Sequence, residues 1–202
     1  MLDLGEAPPG AVRGSLARCS RESGDATLGA VAPYTSQPMN DDLHASPLGA
    51  DQAALLTRPV SVIAASCDAQ LHPHLMRALG CRLSQDRRQV TVLLPLQRAA
   101  QVLDDLRANG RIAVVFSEPT TNLSLQLKGD DAQVLPADDA DCALAATHLE
   151  RFTVEIGELG FQPLVAQTVL DAEDGIAAVR FTVSEVYEQT PGTRAGARLD
   201  RS

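Results

Sequence analysis

Residues 123–129 (LSLQLKG) alternate without a break: Leu123, Leu125 and Leu127 fall on one side, Ser124, Gln126 and Lys128 on the other. Strict alternation is the period of an extended strand with one buried face. This strand closes a block that begins at Gln89. Residues 89–94 (QVTVLL) are β-branched and aliphatic and stop at Pro95. Residues 97–109 place Ala99, Leu103 and Leu106 at helical spacing, and Asn109-Gly110 is a helix stop. Residues 111–116 (RIAVVF) form an apolar run short enough for a strand. The block reads strand, helix, strand, strand. The polar face of its last strand must meet water or a ligand.

The flanking regions extend the pattern. Residues 1–45 mix Gly, Pro, Ser and charge, and such a segment cannot bury enough apolar area to offset its ordering entropy. They are expected to form a disordered N-terminal tail. Met39 stands just before the regular pattern, which raises the hypothesis of a start there, with residues 1–38 as an extension; a full-length intact mass for the native protein rejects it. Ser46-Pro47 reads as an N-cap and first helical residue, for a short helix through Leu56. Residues 60–66 (VSVIAAS) and 75–83 (LMRALGCRL) read as the two strands of a hairpin, and Gly80 inside the second signals a bulge or a close approach.

Residues 130–135 extend the Leu-rich strand or cross to a new one. Asp138 is a candidate N-cap, with Asp139 and Asp141 in a first turn that favours anions. Cys142, Ala145, Leu149, Phe152 and Ile156 follow at helical spacing, broken by Gly157 and Gly160. A short helix from Gln162-Pro163, a turn at Asp174-Gly175 and a strand over 176–185 complete the domain. The count is about six strands joined mostly by short turns, which favours antiparallel pairing, and closing such a sheet removes its edges. The fold expected is mainly β (α+β): a six-stranded antiparallel barrel with peripheral helices over 46–190, then a flexible C-terminal tail over 191–202.

Seventeen basic residues face 26 acidic ones, a net charge of −9, which argues against nucleic acid or anionic membrane as partner. No apolar run reaches the length of a transmembrane helix, and the N-terminus lacks a signal-peptide pattern. The four cysteines form no CxxC and suggest neither a zinc site nor a disulfide framework. A cytoplasmic protein is expected. Aromatic residues make up only 3% of the chain, so Leu, Val and Ala must build its core.

No GxSxG, phosphate loop, GxGxxG or HExxH is present, and no metal site is expected. His72 and His74 flank Pro73 at a strand edge and read as exposed hairpin residues or ligand contacts. His148 reads as a helix-surface residue. The basic residues on apolar elements carry more information. Arg77 and Arg82 lie in one apolar run, Arg98 opens the central helix, and Lys128 lies on the polar face of LSLQLKG. A buried arginine needs a carboxylate, water or an anionic ligand; otherwise it snorkels to solvent.

The order of these segments resembles the FMN-binding split-barrel superfamily typified by pyridoxamine 5'-phosphate oxidase. The likeness spans Pro59 to Gly129: a hairpin, the segment RALGCR, a third strand, a helix ending ANGRIAVVF, and LSLQLKG. It implies a split barrel, a homodimer with flavin at the subunit interface, and a flavin-dependent oxidoreductase acting on an unknown small molecule. The site residues it implies are Arg77 and Arg82 for the FMN phosphate and ring, Gln97 and Arg98 for the phosphate, and Ser124 for the flavin, with Gln126 and Lys128 on the same strand. Leu94, Pro95 and Leu96 stand where the family carries Tyr-Thr-Asn, and Ser124 stands where it carries Gln. These departures argue against a true pyridoxamine phosphate oxidase. A deazaflavin in place of FMN, a haem-handling protein with His72 or His74 as axial ligand, and a cofactor-free dimeric ligand-binding barrel are the alternatives.

Overall fold

The computed structural model describes residues 48–173 and 175–199. The expected N-terminal tail and the Ser46-Pro47 cap lie outside them. The first helix, α1 (Ala50–Leu56), starts from Gly49, whose backbone N–H donates to the Gln52 side chain. Nine strands follow among the described residues: β1 (Ser61–Cys67), β2 (Pro73–Arg77), β3 (Gly80–Leu83), β4 (Gln89–Pro95), β5 (Ile112–Ser117), β6 (Ser124–Gly129), β7 (Gln133–Pro136), β8 (Ile176–Thr182) and β9 (Glu185–Glu188). They form two antiparallel sheets, a five-stranded one in the order β2-β1-β5-β6-β9 and a four-stranded one in the order β3-β4-β8-β7. Helices α2 (Ala100–Asn109), α3 (Asp139–Gly157) and α4 (Pro163–Val169) complete the α+β architecture.

The antiparallel α+β expectation holds, and the larger strand count has a physical reason. Runs that read as one strand each serve two sheets. The Ala78 N–H donates to Val62 in the first sheet, and the next N–H, of Leu79, donates to Leu93 in the second. The chain 75–83 therefore turns a corner and divides into β2 and β3. The chain 176–188 does the same at Val183-Ser184, dividing into β8 and β9. A third crossing, at 130–132, leads from β6 to β7. Hydrophobic alternation continues across each corner, so periodicity alone does not mark it. Two sheets joined at three corners form an open, split barrel.

The sheets pack face to face. Val62, Val114, Phe116 and Leu127 of the first meet Val90, Val92, Val179 and Phe181 of the second in one buried cluster. α2 adds Val102, Leu103 and Leu106 to it and ends at Gly110, whose left-handed φ of 68° makes the expected stop. The four-stranded sheet is buried on its other face too. There Leu79, Leu93 and Ala178 pack against Ala145, Phe152 and Ile156 of α3 and Ala166 of α4. Burial on both faces matches the continuous burial of β4 from Val90 to Pro95. In the five-stranded sheet, β1, β5 and β6 alternate between buried and half-buried residues, so one face stays open among the described residues.

Two glycines set the contacts between layers. Gly80 has a φ of 154°, and a Cβ there would lie 3.0 Å from Leu144 Cδ2 and 3.3 Å from His148 Cβ. The close approach expected at Gly80 is thus to α3. Gly129, at the end of β6, lets the second sheet come closer still: a Cβ would lie 2.7 Å from the Thr182 carbonyl oxygen and 2.6 Å from Phe181 Cδ2. Backbone cannot yield as a long side chain can, so Gly129→Ala is expected to destabilise the fold by about 1–3 kcal/mol. A urea unfolding curve with unchanged midpoint would contradict this contact.

Candidate functional site

Four of the seven expected site residues share the open face of the five-stranded sheet. Its registers align them in rows. Arg77, Ile63, Val115, Gln126 and Tyr187 lie opposite one another across five strands. Leu75, Ala65, Ala113, Lys128 and Glu185 form the next row, and Ser61, Ser117 and Ser124 a third. The centre of this face is apolar: Ile63, Ala65 and Val115 are half-buried, and Leu75 is 61% exposed. Its edges are polar and charged.

Each cation on the face already has a protein contact. Arg77 donates to Ser61 Oγ, and partial burial holds its guanidinium below the usual arginine value. Lys128 Nζ lies 3.8 Å from Glu185 and 4.6 Å above the centre of the Tyr187 ring. The Ser124 and Ser117 hydroxyls are 2.8 Å apart. Lys128 remains 41% exposed and the ion pair is long, so its charge can also serve a ligand.

The other three residues lie elsewhere. Gln97 and Arg98 are exposed on the turn that leads into α2. Arg82 points from β3 to α3, where its Nε donates to Asp141 Oδ1 at 2.9 Å. Asp141 is only 3% exposed and also closes the helix cap: its N–H donates to Asp138 Oδ1, and its Oδ2 accepts from the Asp138 N–H. The expected cap at Asp138 is present. Arg77 and Arg82, five residues apart, therefore serve different sheets with different partners. A phosphate-bearing ring fits the open face in part, through two cations, two polar hydrogen-bonding groups and an apolar floor.

Two polar centres are buried where the sequence reading expects none. Asp105, 7% exposed on α2, accepts at one oxygen from Ser66 Oγ at 2.7 Å, and that same oxygen lies 2.8 Å from His74 Nδ1. His72 is anchored similarly, its Nδ1 3.0 Å from Asp68. His148 is not a helix-surface residue. It stacks on Phe152 at 5.9 Å, and its Nε2 is buried without a hydrogen-bond partner. Burial, reinforced by Arg151, holds the imidazole down to about 4; the Val60 backbone opposes this weakly but makes no bond to Nε2 of ordinary geometry. A sequence signal existed for both. Asp105 and His148 occupy positions on apolar helical stripes, Val102–Asp105–Leu106 and Ala145–His148–Phe152. Among the described residues, no group of three or more His, Cys, Asp or Glu could hold a metal ion, and no helix is long and apolar enough to cross a membrane.

Two tests follow from these contacts. Removing Arg82 strands a buried carboxylate, so Arg82→Ala is expected to cost about 1–3 kcal/mol of stability, while Asp141→Asn in the Arg82→Ala background recovers part of it. An unfolding midpoint insensitive to Arg82→Ala would refute the pairing. For His148, the unfolded imidazole takes up a proton below its ordinary 6.5 and the folded one only near 4. Stability is therefore unaffected above 6.5 and is lost as pH falls through that window. His148→Phe is expected to flatten the pH dependence between 6.5 and 4, by on the order of 3 kcal/mol at its lower end. Parallel slopes for the two proteins would refute the burial of a neutral ring.

No family model matches the chain, and no curated protein matches it. Solved structures do. HupZ from Group A Streptococcus is 16% identical, with a TM-score of 0.46, over 74% of this chain and 99% of that one. HutZ, a haem storage protein from Vibrio cholerae, is 16% identical, with a TM-score of 0.42, over 70% and 94%. A pyridoxamine 5'-phosphate oxidase-related, FMN-binding protein from Nostoc punctiforme is 14% identical, with a TM-score of 0.39, over 70% and 81%. The solved structures that this chain resembles thus include pyridoxamine 5'-phosphate oxidase-like, FMN-binding split-barrel proteins.

Proposed function

We propose that the chain is a flavin-binding oxidoreductase that works as a homodimer, its FMN or deazaflavin lying on the open face of the five-stranded sheet. The observation that supports this reading is the composition of that face. Arg77, Ser124, Gln126 and Lys128 surround the half-buried Ile63, Ala65 and Val115. Such a surface asks for a partner with an apolar body and a negative end. A second copy supplies the cover that no helix among the described residues supplies. Arg77 and Lys128 hold the cofactor phosphate, Gln126 and Ser124 donate to the ring, and Arg98 adds charge and Gln97 an amide donor ahead of α2. Arg82, held by Asp141, is not among them. The flavin, when bound, carries the hydride or electrons between a donor and a small-molecule substrate; the chain binds, orients and excludes water.

A haem-binding reading has its own support. Asp105 anchors His74 Nδ1 and leaves Nε2 as a free, oriented ligand atom, the arrangement in which carboxylates hold metal-binding imidazoles.

The absorption spectrum of the freshly purified chain separates these readings. Two flavin bands and a dimeric mass are expected. A single intense Soret band lost in His74→Ala selects haem, and a featureless spectrum that added FMN does not change rejects both cofactors. If the face holds the phosphate, Arg77→Ala and Lys128→Ala each weaken FMN binding by roughly 10- to 150-fold, the worth of one charge-assisted hydrogen bond. Unchanged affinity in both removes the assignment.

A further inference from the structure

Between α1, β3 and α3 lies a cavity of about 480 Å³, on the far side of the four-stranded sheet from the open face. It is within the size range of small-molecule sites. Its wall contains three arginines, Arg58, Arg82 and Arg151, and no aspartate or glutamate. That is a marked local reversal in a chain of net charge −9. Two of the three are answered from outside the wall: Arg58 by Glu118 at 3.0 Å and Arg82 by Asp141 at 2.9 Å. Arg151 forms no ion pair with a carboxylate among the described residues. The cavity therefore carries one unbalanced positive charge.

His148 also lines this wall, but its Nε2 is closed off from the cavity and takes no part in the site. Leu56, Leu83 and Leu144 form the apolar part of the lining. The occupant that satisfies both features has an apolar body and one negative group for Arg151. A metal cation is excluded by the sign of the wall.

We propose that this cavity binds a small organic anion, a carboxylate or phosphate ester, with Arg151 as its charge partner and the three leucines as its apolar contact. The site is separate from the proposed flavin face and stands whether or not a flavin binds.

Isothermal titration of the full chain tests it, with benzoate and phenyl phosphate as anionic probes and benzamide as a neutral analogue. At least one anion is expected to bind saturably, and at least tenfold more tightly than benzamide. Arg151→Gln, at an exposed helix position, removes that preference without altering the flavin spectrum. Thr147→Leu, which fills the cavity mouth from the same helix, weakens anions and benzamide together. No saturable binding, equal binding of benzamide, or an unchanged affinity in Arg151→Gln overturns the proposal. Anion binding by a chain with no flavin bands sinks the flavin reading alone; flavin bands without anion binding sink this one alone.

Discussion

The two-sided burial of the four-stranded sheet is the constraint on which the rest depends. Leu79, Leu93 and Ala178 leave water only because α3 and α4 lie across them. Each fully buried leucine contributes about 1.5–3 kcal/mol, and with so few aromatic residues no other side chains can replace that sum. α3 can lie there because Gly80 has no side chain to hold it off. Its position then fixes the rest of that wall. Asp141 meets Arg82, His148 is driven into the interior, and Arg151 is left at the rim of the cavity. The five-stranded sheet has no such cover among the described residues and keeps a face for something else.

The buried acids obey the same logic. Asp105, Glu118 and Asp141 are the carboxylates of lowest exposure, and each is answered by a cation or an imidazole on another element. Removing a partner would leave a charge in a poor solvent for it. These pairs are architectural, and they occupy two of the arginines that line the cavity. What remains uncompensated is therefore informative, which is why Arg151 carries more weight than its neighbours.

Much of this was legible in the sequence. The alternation of LSLQLKG, the Asn109-Gly110 stop and the Asp138 cap each rest on interactions within a few residues, and each appears where local chemistry puts it. The strand divisions at Ala78-Leu79 and Val183-Ser184 were not legible, since an extended chain keeps its period while changing sheets. The partners of the arginines were hidden for a different reason. Arg77 finds Ser61 at a separation of 16 residues and Arg82 finds Asp141 at 59, distances over which a linear pattern holds no information. The shared sheet face of Arg77, Gln126 and Lys128 emerges only from the register. Asp105 is not singled out and His148 reads as a helix-surface residue because a single polar residue on an apolar stripe looks like a sequence accident until its surroundings are seen.

The strand order has a temporal consequence. β8 sits between β4 and β7, and β9 closes the other sheet beside β6. Both follow every other strand in chain order among the described residues. Until β8 arrives, β4 exposes an unpaired apolar edge and β7 has no neighbour at all. The nascent chain is thus open to edge-to-edge association until residues 176–188 have emerged, and only then can its two sheets become whole.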